Sequence, residues 1–266
     1  MSTAPRIDLH VHIYPQKIAQ HAADAIGAFY DGAPMRYDGT VETLLPALDE
    51  ARIDRAVVHS VAMSPARVHT INDFIAGEVA KHPDRLVGFA TLHPDMDDPA
   101  AEVARAKSLG LRGVKIHNDM QQIAVDDPRM EKIYAACEGV FPLLLHAGDH
   151  RFHFDNPSQI AWAAKRHPGL TFIAAHLGGY TEWDEAAKWL PGLPNVLVDT
   201  SSSFFALGYD KMRAMIDLYG EDNVLYGTDY PMWSPAEEIA AVERLGLSET
   251  TLAKILGGNA ESILGL

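Results

Sequence analysis

The chain has 266 residues, 47% hydrophobic and 22% charged, with a formal charge of −14 at pH 7, and this length predicts a single domain over residues 1–266. The acidity excludes nucleic acid and anionic membranes as partners, because both bind clusters of Lys and Arg, and no basic run is present. The single cysteine, Cys137, excludes an internal disulfide and a Cys-built metal site, while the lack of a signal-peptide pattern or a membrane-length apolar run predicts a cytoplasmic protein.

Eight short segments rich in β-branched and apolar residues predict eight β-strands. They are IDLHVH from Ile7, RAVVHSV from Arg55, RLVGFATLHP from Arg85, RGVKIHN from Arg112, FPLLLHAG from Phe141, TFIAAHLGG from Thr171, NVLVDTS from Asn195 and NVLYGTDYP from Asn223. From the second onward they begin about 25 to 30 residues apart, which is the period of a strand plus a crossover helix. The longer first interval leaves room for an added segment between Tyr14 and Asp38.

Helical patterns fill the intervals between these strands. Five dipeptides place a capping side chain before a proline and so predict helix starts: Ser64-Pro65, Asp98-Pro99, Asp127-Pro128, Asn156-Pro157 and Ser234-Pro235. His82-Pro83 and His167-Pro168 predict helix ends.

Strict alternation of eight strands with helices predicts an α/β fold, a single (βα)8 TIM barrel, with a doubly wound open sheet as the alternative. The last stretch, SETTLAKILGGNAESILGL, predicts extra C-terminal helices that cover the barrel.

The first strand segment carries polar residues on one of its faces. Regular alternation places Asp8, His10 and His12 together and turns Ile7, Leu9 and Val11 outward toward the helices. Residues at i and i+2 of a strand are close enough for His10 and His12 to reach one ion.

Histidines also recur at the ends of the other strand segments, where a barrel of this kind carries its catalytic groups. Seven of the thirteen histidines lie there: His10, His12, His59, His93, His117, His146 and His176. So many imidazoles around one barrel mouth need a shared partner, and a divalent cation accepts neutral imidazole and carboxylate together. Without thiolates, the donors favour Zn, with Mn or Fe as alternatives. His59 and His93 are expected to be core or supporting residues.

Lys115 lies on the inward face of the fourth segment with His117. An ammonium beside a cation is repelled, so Lys115 is deprotonated, chemically converted or used to bind the substrate.

The motifs DLHVH, GVKIH, LLLHAG, AHLGG, YGTDYP and GGNAESIL, in this order over nearly the whole chain, resemble the amidohydrolase superfamily. The resemblance is to its amidohydrolase-related branch of metal-dependent hydrolases and decarboxylases. It implies that His10, His12, His146 and Asp229 bind a divalent metal. His176 would bind a second metal or act as an acid/base, and Lys115, if carboxylated, would bridge two ions. The number of ions therefore stays open between one and two.

Other residues are expected to support this centre. Asp8 is expected to orient a ligand imidazole through its second nitrogen. Arg151, His117, Tyr14 and Trp233 are expected to contact the substrate, Arg151 by pairing with its carboxylate.

The predicted activity is that of a metal-dependent hydrolase of a C–N or C–O bond, such as an amide or lactone, in a small organic molecule. Asp229 would accept a proton from a metal-activated water, and His176 would stabilise the developing charge. The alternative is a metal-dependent non-oxidative decarboxylase of a small aromatic or unsaturated acid, and the third is a non-catalytic binding barrel. A homo-oligomer is compatible with the sequence.

Overall fold

The computed structural model describes residues 5–266, and within this range eight parallel strands form one sheet in sequential order from β1 to β8. The strands are β1 Ile7–His12, β2 Arg55–His59, β3 Leu86–Thr91, β4 Gly113–Ile116, β5 Leu143–Leu145, β6 Phe172–Ala174, β7 Val196–Asp199 and β8 Val224–Leu225. The amide of Leu9 donates to the carbonyl of Tyr226 at 2.9 Å, and that of His12 to the carbonyl of Tyr230 at 2.7 Å, which joins the first strand to the last. The predicted (βα)8 barrel and its eight strand segments are confirmed.

Helices surround this sheet. They are α1 Ala19–Phe29, α2 Val41–Ala51, α3 Val68–Lys81, α4 Pro99–Ser108, α5 Asn118–Gln121, α6 Glu131–Cys137, α7 Pro157–Arg166, α8 Trp183–Trp189, α9 Phe204–Tyr219, α10 Pro235–Glu243, α11 Glu249–Ala253 and α12 Asn259–Leu264, with 3-10 turns at Pro65–Arg67, Pro128–Met130 and His176–Gly178 and a π-helical turn at Lys254–Gly258. Across residues 5–266, none of the helices is long and apolar enough to cross a membrane.

The capping signals read from the sequence lie where helices begin and end. Asp98 caps α4 by accepting from the amide of Ala101 at 2.9 Å, and Ser234 caps α10 in the same way. His82 and His167 are the C-terminal caps of α3 and α7. The longer first interval contains α1, which is the added segment that its length predicted.

A β-bulge interrupts the alternation of β1. Asp8 pairs with Ala56, but the next pair is Val11 with Val58, so three steps along β1 face two along β2. As a result Ile7 and Leu9 pack inside the barrel, in a cluster with alternate residues of the other strands, whereas Val11 packs in the outer cluster with the helices. The expectation that Ile7 and Leu9 face outward is therefore wrong, and the bulge is the physical reason.

The C-terminal helices close the barrel at the amino ends of the strands. Ala260 and Leu264 of α12 belong to the same interior cluster as Ile7 and Leu9. This confirms that the extra helices cover the barrel, and it leaves the carboxyl ends of the strands as the open face.

Candidate active site

A cavity of about 750 Å³ opens at the carboxyl ends of the strands. Most of the residues predicted for the site line it: His10, His12, Tyr14, Lys115, His117, His146, His176 and Asp229. Arg151 and Trp233 are not among the lining residues. The strand ends therefore gather one polar cluster, as a barrel of parallel strands requires.

The two histidines of β1 converge on Asp229. Asp229 Oδ1 lies 3.6 Å from Nε2 of His10 and 3.4 Å from Nε2 of His12. Ligands bonded at about 2.1 Å to one tetrahedral ion lie roughly 3.4 Å from each other. These three atoms therefore have the spacing of neighbouring ligands of one divalent ion.

Asp199 fixes the orientation of His10. Its Oδ2 lies 2.9 Å from Nδ1 of His10, and because a carboxylate only accepts, Nδ1 carries the proton and Nε2 keeps its lone pair. A carboxylate behind a ligand histidine is the usual support of a metal site. The prediction that Asp8 would do this is wrong, because the bulge turns its carboxylate to the amide and hydroxyl of Thr228 and to the backbone amide of His10.

A hydrogen-bond chain sets the protons on two further imidazoles. Ser201 Oγ donates to Asp199 and therefore accepts from Nδ1 of His176, at 2.9 Å. Nε2 of His176 then accepts from Nδ1 of His146 at 3.0 Å. Nε2 of His146 is left with a buried lone pair, and it has no hydrogen-bond partner among residues 5–266. Its nearest carboxylate oxygen is Oδ2 of Asp119, 3.8 Å away.

Lys115 is fully buried within the polar cluster. Its Nζ lies 3.2 Å from Nε2 of His10. Burial lowers the pKa of Lys115 to about 8, against the opposing effect of Asp199 and Asp229. The neutral amine therefore becomes accessible slightly above neutral pH, and in that form Lys115 is not repelled by a neighbouring cation.

Burial also changes the protonation of the other groups. It raises the pKa of Asp229 to about 7 and lowers that of His176 to about 4. The pKa values of His10, His12 and His146 are lowered well below the usual value, again mainly by burial. The imidazoles are therefore neutral at pH 7, the state in which they bind metals.

Three residues of the site have left-handed backbone conformations without being glycine. The φ angles are 60° at His176, 45° at Ser202 and 63° at Asp229. Such conformations cost about 1 kcal/mol or more and cluster at functional sites. They turn the side chains that follow β6, β7 and β8 toward the cavity.

Arg151 does not face the cavity. Its guanidinium donates to Oδ2 of Asp149 at 2.6 Å, to the carbonyl of Phe29 at 2.8 Å and to Asp31 at 2.9 Å. The expected pairing with a substrate carboxylate is not supported by this arrangement, because carboxylates of the protein already hold the side chain. Arg151 instead fastens the loop after β5 to the end of α1.

The other expected substrate contacts lie in different places. Tyr14 lines the cavity, and so does His117, whose Nε2 lies 3.0 Å from the hydroxyl of Tyr30 and whose ring stacks on His146 at 4.0 Å. Trp233 reaches the site only indirectly, since its Nε1 donates at 2.8 Å to Ser202 Oγ, which donates at 2.6 Å to Asp229 Oδ2.

Sequence reasoning missed several residues of this site. Asp199 ends the seventh strand segment, and its position at a strand end was a signal that could have identified it. His59, left as a core or supporting residue, lies with its ring 4.4 Å from that of His12 and has both nitrogens buried without a partner in residues 5–266. The side chain of Asp119, whose two carboxylate oxygens are also buried without a hydrogen-bond partner in that range, has a pKa raised to about 7, mainly by burial. No strand-end pattern indicated Asp119, because it lies on the short helix α5.

The donor set fits a divalent ion. His10, His12 and Asp229 offer two imidazole nitrogens and a carboxylate oxygen at ligand spacing, and Nε2 of His146 has no hydrogen-bond partner among residues 5–266. Nitrogen and oxygen donors of this kind bind Zn, Mn or Fe.

The chain belongs to the amidohydrolase family, since a model of that family, described as Amidohydrolase, matches residues 7–266. It is therefore an enzyme of the amidohydrolase superfamily, as the motifs indicated.

Several of the particular proteins that it resembles are named as decarboxylases. Gamma-resorcylate decarboxylase of Rhodococcus jostii is 25% identical, over 94% of this chain and 98% of the relative. The structure of 5-carboxyvanillate decarboxylase from Sphingomonas paucimobilis has a TM-score of 0.76 at 19% identity and covers 99% of this chain and 100% of its own. The enzyme of the same name from Novosphingobium aromaticivorans, complexed with manganese and 4-hydroxy-3-methoxy-5-nitrobenzoic acid, has a TM-score of 0.75 at 20% identity and covers 99% and 97%.

These relatives overturn the leading functional prediction. A hydrolase of a C–N or C–O bond was expected, but gamma-resorcylate decarboxylase of Rhodococcus jostii, matched over 98% of its length, and a second sequence relative of the same name are decarboxylases. The expectation of a hydrolase was helped by Lys115, which a carbamate would turn into a bridge between two ions. A buried lysine whose pKa is already lowered needs no such conversion to be tolerated there.

Proposed function

We propose that this enzyme is a metal-dependent, non-oxidative decarboxylase of an aromatic acid. The observation that carries the proposal is a largely apolar cavity that ends on Asp229, a buried carboxyl group between the imidazoles of His10 and His12. Decarboxylation of an aromatic acid needs an apolar slot for the ring and a proton donor beside the carbon that loses CO₂. The names of the relatives support the same chemistry.

His10, His12 and Asp229 would hold the divalent ion, and His146 is proposed as a fourth ligand through its bare Nε2. Zn or Mn fits these donors, and manganese is the ion named with the relative from Novosphingobium aromaticivorans. When bound, the ion supplies positive charge for a substrate carboxylate and a neighbouring hydroxyl group.

Asp229 is proposed as the acid. As the bond between the ring carbon and the carboxyl carbon breaks, its electron pair stays on the ring carbon, and a proton from Asp229 takes the place of the departing CO₂. Burial raises the pKa of Asp229 to about 7 and the charge of a bound ion would oppose this shift, so the group is suited to both accept and release a proton. Ser202 and Trp233 fix the carboxyl group from behind through the 2.6 Å and 2.8 Å hydrogen bonds.

His176 is proposed to hold the geometry and to share protons with its neighbours. Nδ1–H of His176 donates a hydrogen bond to Ser201 Oγ, and Nε2 accepts one from Nδ1 of His146. The ring is therefore neutral and hydrogen-bonded on both sides. Lys115, with a pKa of about 8, is proposed to donate a hydrogen bond to the substrate from the floor of the polar cluster.

Incubation of the protein, loaded with Mn²⁺ or Zn²⁺, with hydroxybenzoates tests this function. We expect release of CO₂ and of the matching phenol, and in D₂O one deuterium at the carbon that carried the carboxyl group. Asp229→Asn should abolish release of CO₂, whereas Asp210→Asn, at an exposed position of α9, should leave it unchanged. Acid release from lactones or amides without any CO₂ from the aromatic acids would contradict the proposal.

A further inference from the structure

The cavity is larger than a small aromatic acid requires. Its volume is about 750 Å³. A cavity of about 150 Å³ is enough to hold benzene. A ring with one carboxyl and one or two hydroxyl groups therefore fills only a fraction of the space, and the remainder lies between the polar cluster and the protein surface.

The walls of this remaining space are apolar. On one side lie Ile18, at the N-cap of α1, and Ala22 and Ile26 of α1, and on the other side lie Ile71 and Phe74 of α3. These side chains provide no hydrogen-bond partners for a hydroxylated or charged group. An occupant gains most there by burying hydrocarbon.

The outer edge of the cavity exposes large apolar side chains on both sides. Ile18 is 51% exposed and Met63 is 58% exposed, although both line the cavity. Exposed apolar edges at a cavity mouth are typical of a binding surface for an apolar group. Apart from Lys115, Asp119 and Asp229, the charged residue that lines the cavity in the described range is Arg67, which is exposed on the 3-10 turn before α3.

We infer that the substrate is an aromatic acid with an uncharged apolar chain of several carbons on the side of the ring opposite the carboxyl group. The position of the carboxyl group in this inference rests on the proposed function. The position of the apolar chain rests on the shape and lining of the cavity. The carboxyl group lies at His10, His12 and Asp229, and the chain lies between α1 and α3 and points toward Ile18 and Met63.

A series of 4-alkylsalicylates with methyl, propyl and pentyl chains tests the inference. Each added CH₂ group that becomes buried should lower KM about fourfold, with little change in kcat, since burial of one CH₂ is worth about that factor. Ala22→Trp should fill the apolar space between α1 and α3, called the channel below. This should raise KM for the pentyl compound at least tenfold and leave KM for the methyl compound unchanged. Ala28→Trp, at an exposed position of the same helix that does not line the cavity, is the matched control and should behave like the unchanged protein.

Binding of the corresponding 3-alkylphenols, which are the products, separates this inference from the proposed function. Affinity that rises with chain length and is lost in Ala22→Trp, without any release of CO₂, would refute the decarboxylase and support the channel. Release of CO₂ with a KM independent of chain length, in both the unchanged protein and Ala22→Trp, would overturn the inference and leave the decarboxylase standing.

Discussion

The carboxylate of Asp199 lies 2.9 Å from Nδ1 of His10, on the side of the imidazole away from Asp229. Asp199 is the last residue of β7, and its carboxylate also accepts hydrogen bonds from the backbone amides of His176 and Ser201. One carboxylate thus fixes the tautomer of His10 and the backbone of two neighbouring residues.

Asp199→Asn is expected to weaken binding of the metal about 10- to 100-fold. An amide can donate to Nδ1 of His10, which would move the imidazole proton to Nε2 and block the nitrogen that faces Asp229. Titration of the apoprotein with Mn²⁺ measures this change, with Asp184→Asn on the exposed face of α8 as the control. An unchanged dissociation constant would show that Asp199 has no part in the metal site.

His59→Leu is expected to raise the free energy of unfolding of the apoprotein by about 1 kcal/mol or more. A buried imidazole without hydrogen bonds costs about that amount, and leucine removes the polar atoms. The His59 ring lies 4.4 Å from that of His12, so leucine would change the packing beside a proposed metal ligand. The additional stability that Mn²⁺ gives to the folded protein should therefore be smaller in the variant. Urea unfolding with and without Mn²⁺ measures both effects, and exposed His21→Leu serves as control. A less stable apoprotein would refute this explanation.

Asp119→Asn is expected to gain stability relative to the unchanged protein as the pH rises from about 4 to 7. Asp119 has a folded-state pKa of about 7, raised by burial, whereas its ordinary value is 3.8. Over this interval the unfolded chain releases the proton that the folded chain keeps, so the unchanged protein loses stability and the variant does not. The difference should amount to a few kcal/mol at most and level off above pH 7. Unfolding curves at several pH values check this, and a difference independent of pH would exclude the assignment.

Cys137 should not react with thiol reagents in the folded protein at pH 8. It is fully buried on α6, and burial raises its pKa to about 12, so almost no thiolate is present. As the only cysteine of the chain, it should react with a stoichiometry of one in denaturant. Fast labelling of the native protein by a disulfide reagent would contradict the burial of this helix.

Metal analysis should give about one divalent ion per chain, and Lys115→Met should keep that ratio while lowering kcat about 100-fold. Lys115 would act through its hydrogen bond to the substrate and would not bridge two ions. A ratio near two that falls in Lys115→Ala and recovers with short carboxylates would instead show a carbamate.

The fold was predictable because its signals are local and repeated. Capping residues such as Asp98 and Ser234 determine where helices begin, and strand segments recur at the period of the βα unit. Strand-end histidines follow from the same rule, since the carboxyl ends of parallel strands meet at one face.

The remaining features depend on contacts between distant segments. The sequence predicted Arg151 as a substrate contact because it does not show that the end of α1 lies beside this residue. In the structure Asp31, which follows α1, and Asp149 hold the guanidinium. Asp8 was assigned to the face of His10 because regular alternation puts it there, and the pairing of β1 with β2 changes that. A bulge depends on the register between two strands, which the pattern of one strand does not contain.

That bulge makes the length of β1 as important as its composition. Ile7 and Leu9 lie among the interior side chains, whereas His12 points into the open end, and the extra residue between Asp8 and Val11 separates these two parts of the strand. If the same residues paired with β2 in regular register, without the bulge, the paired histidines would still stand in the sequence, but Leu9 and the two imidazoles would lie on opposite faces of the strand. The ability to bind an ion would then be lost without the replacement of any ligand.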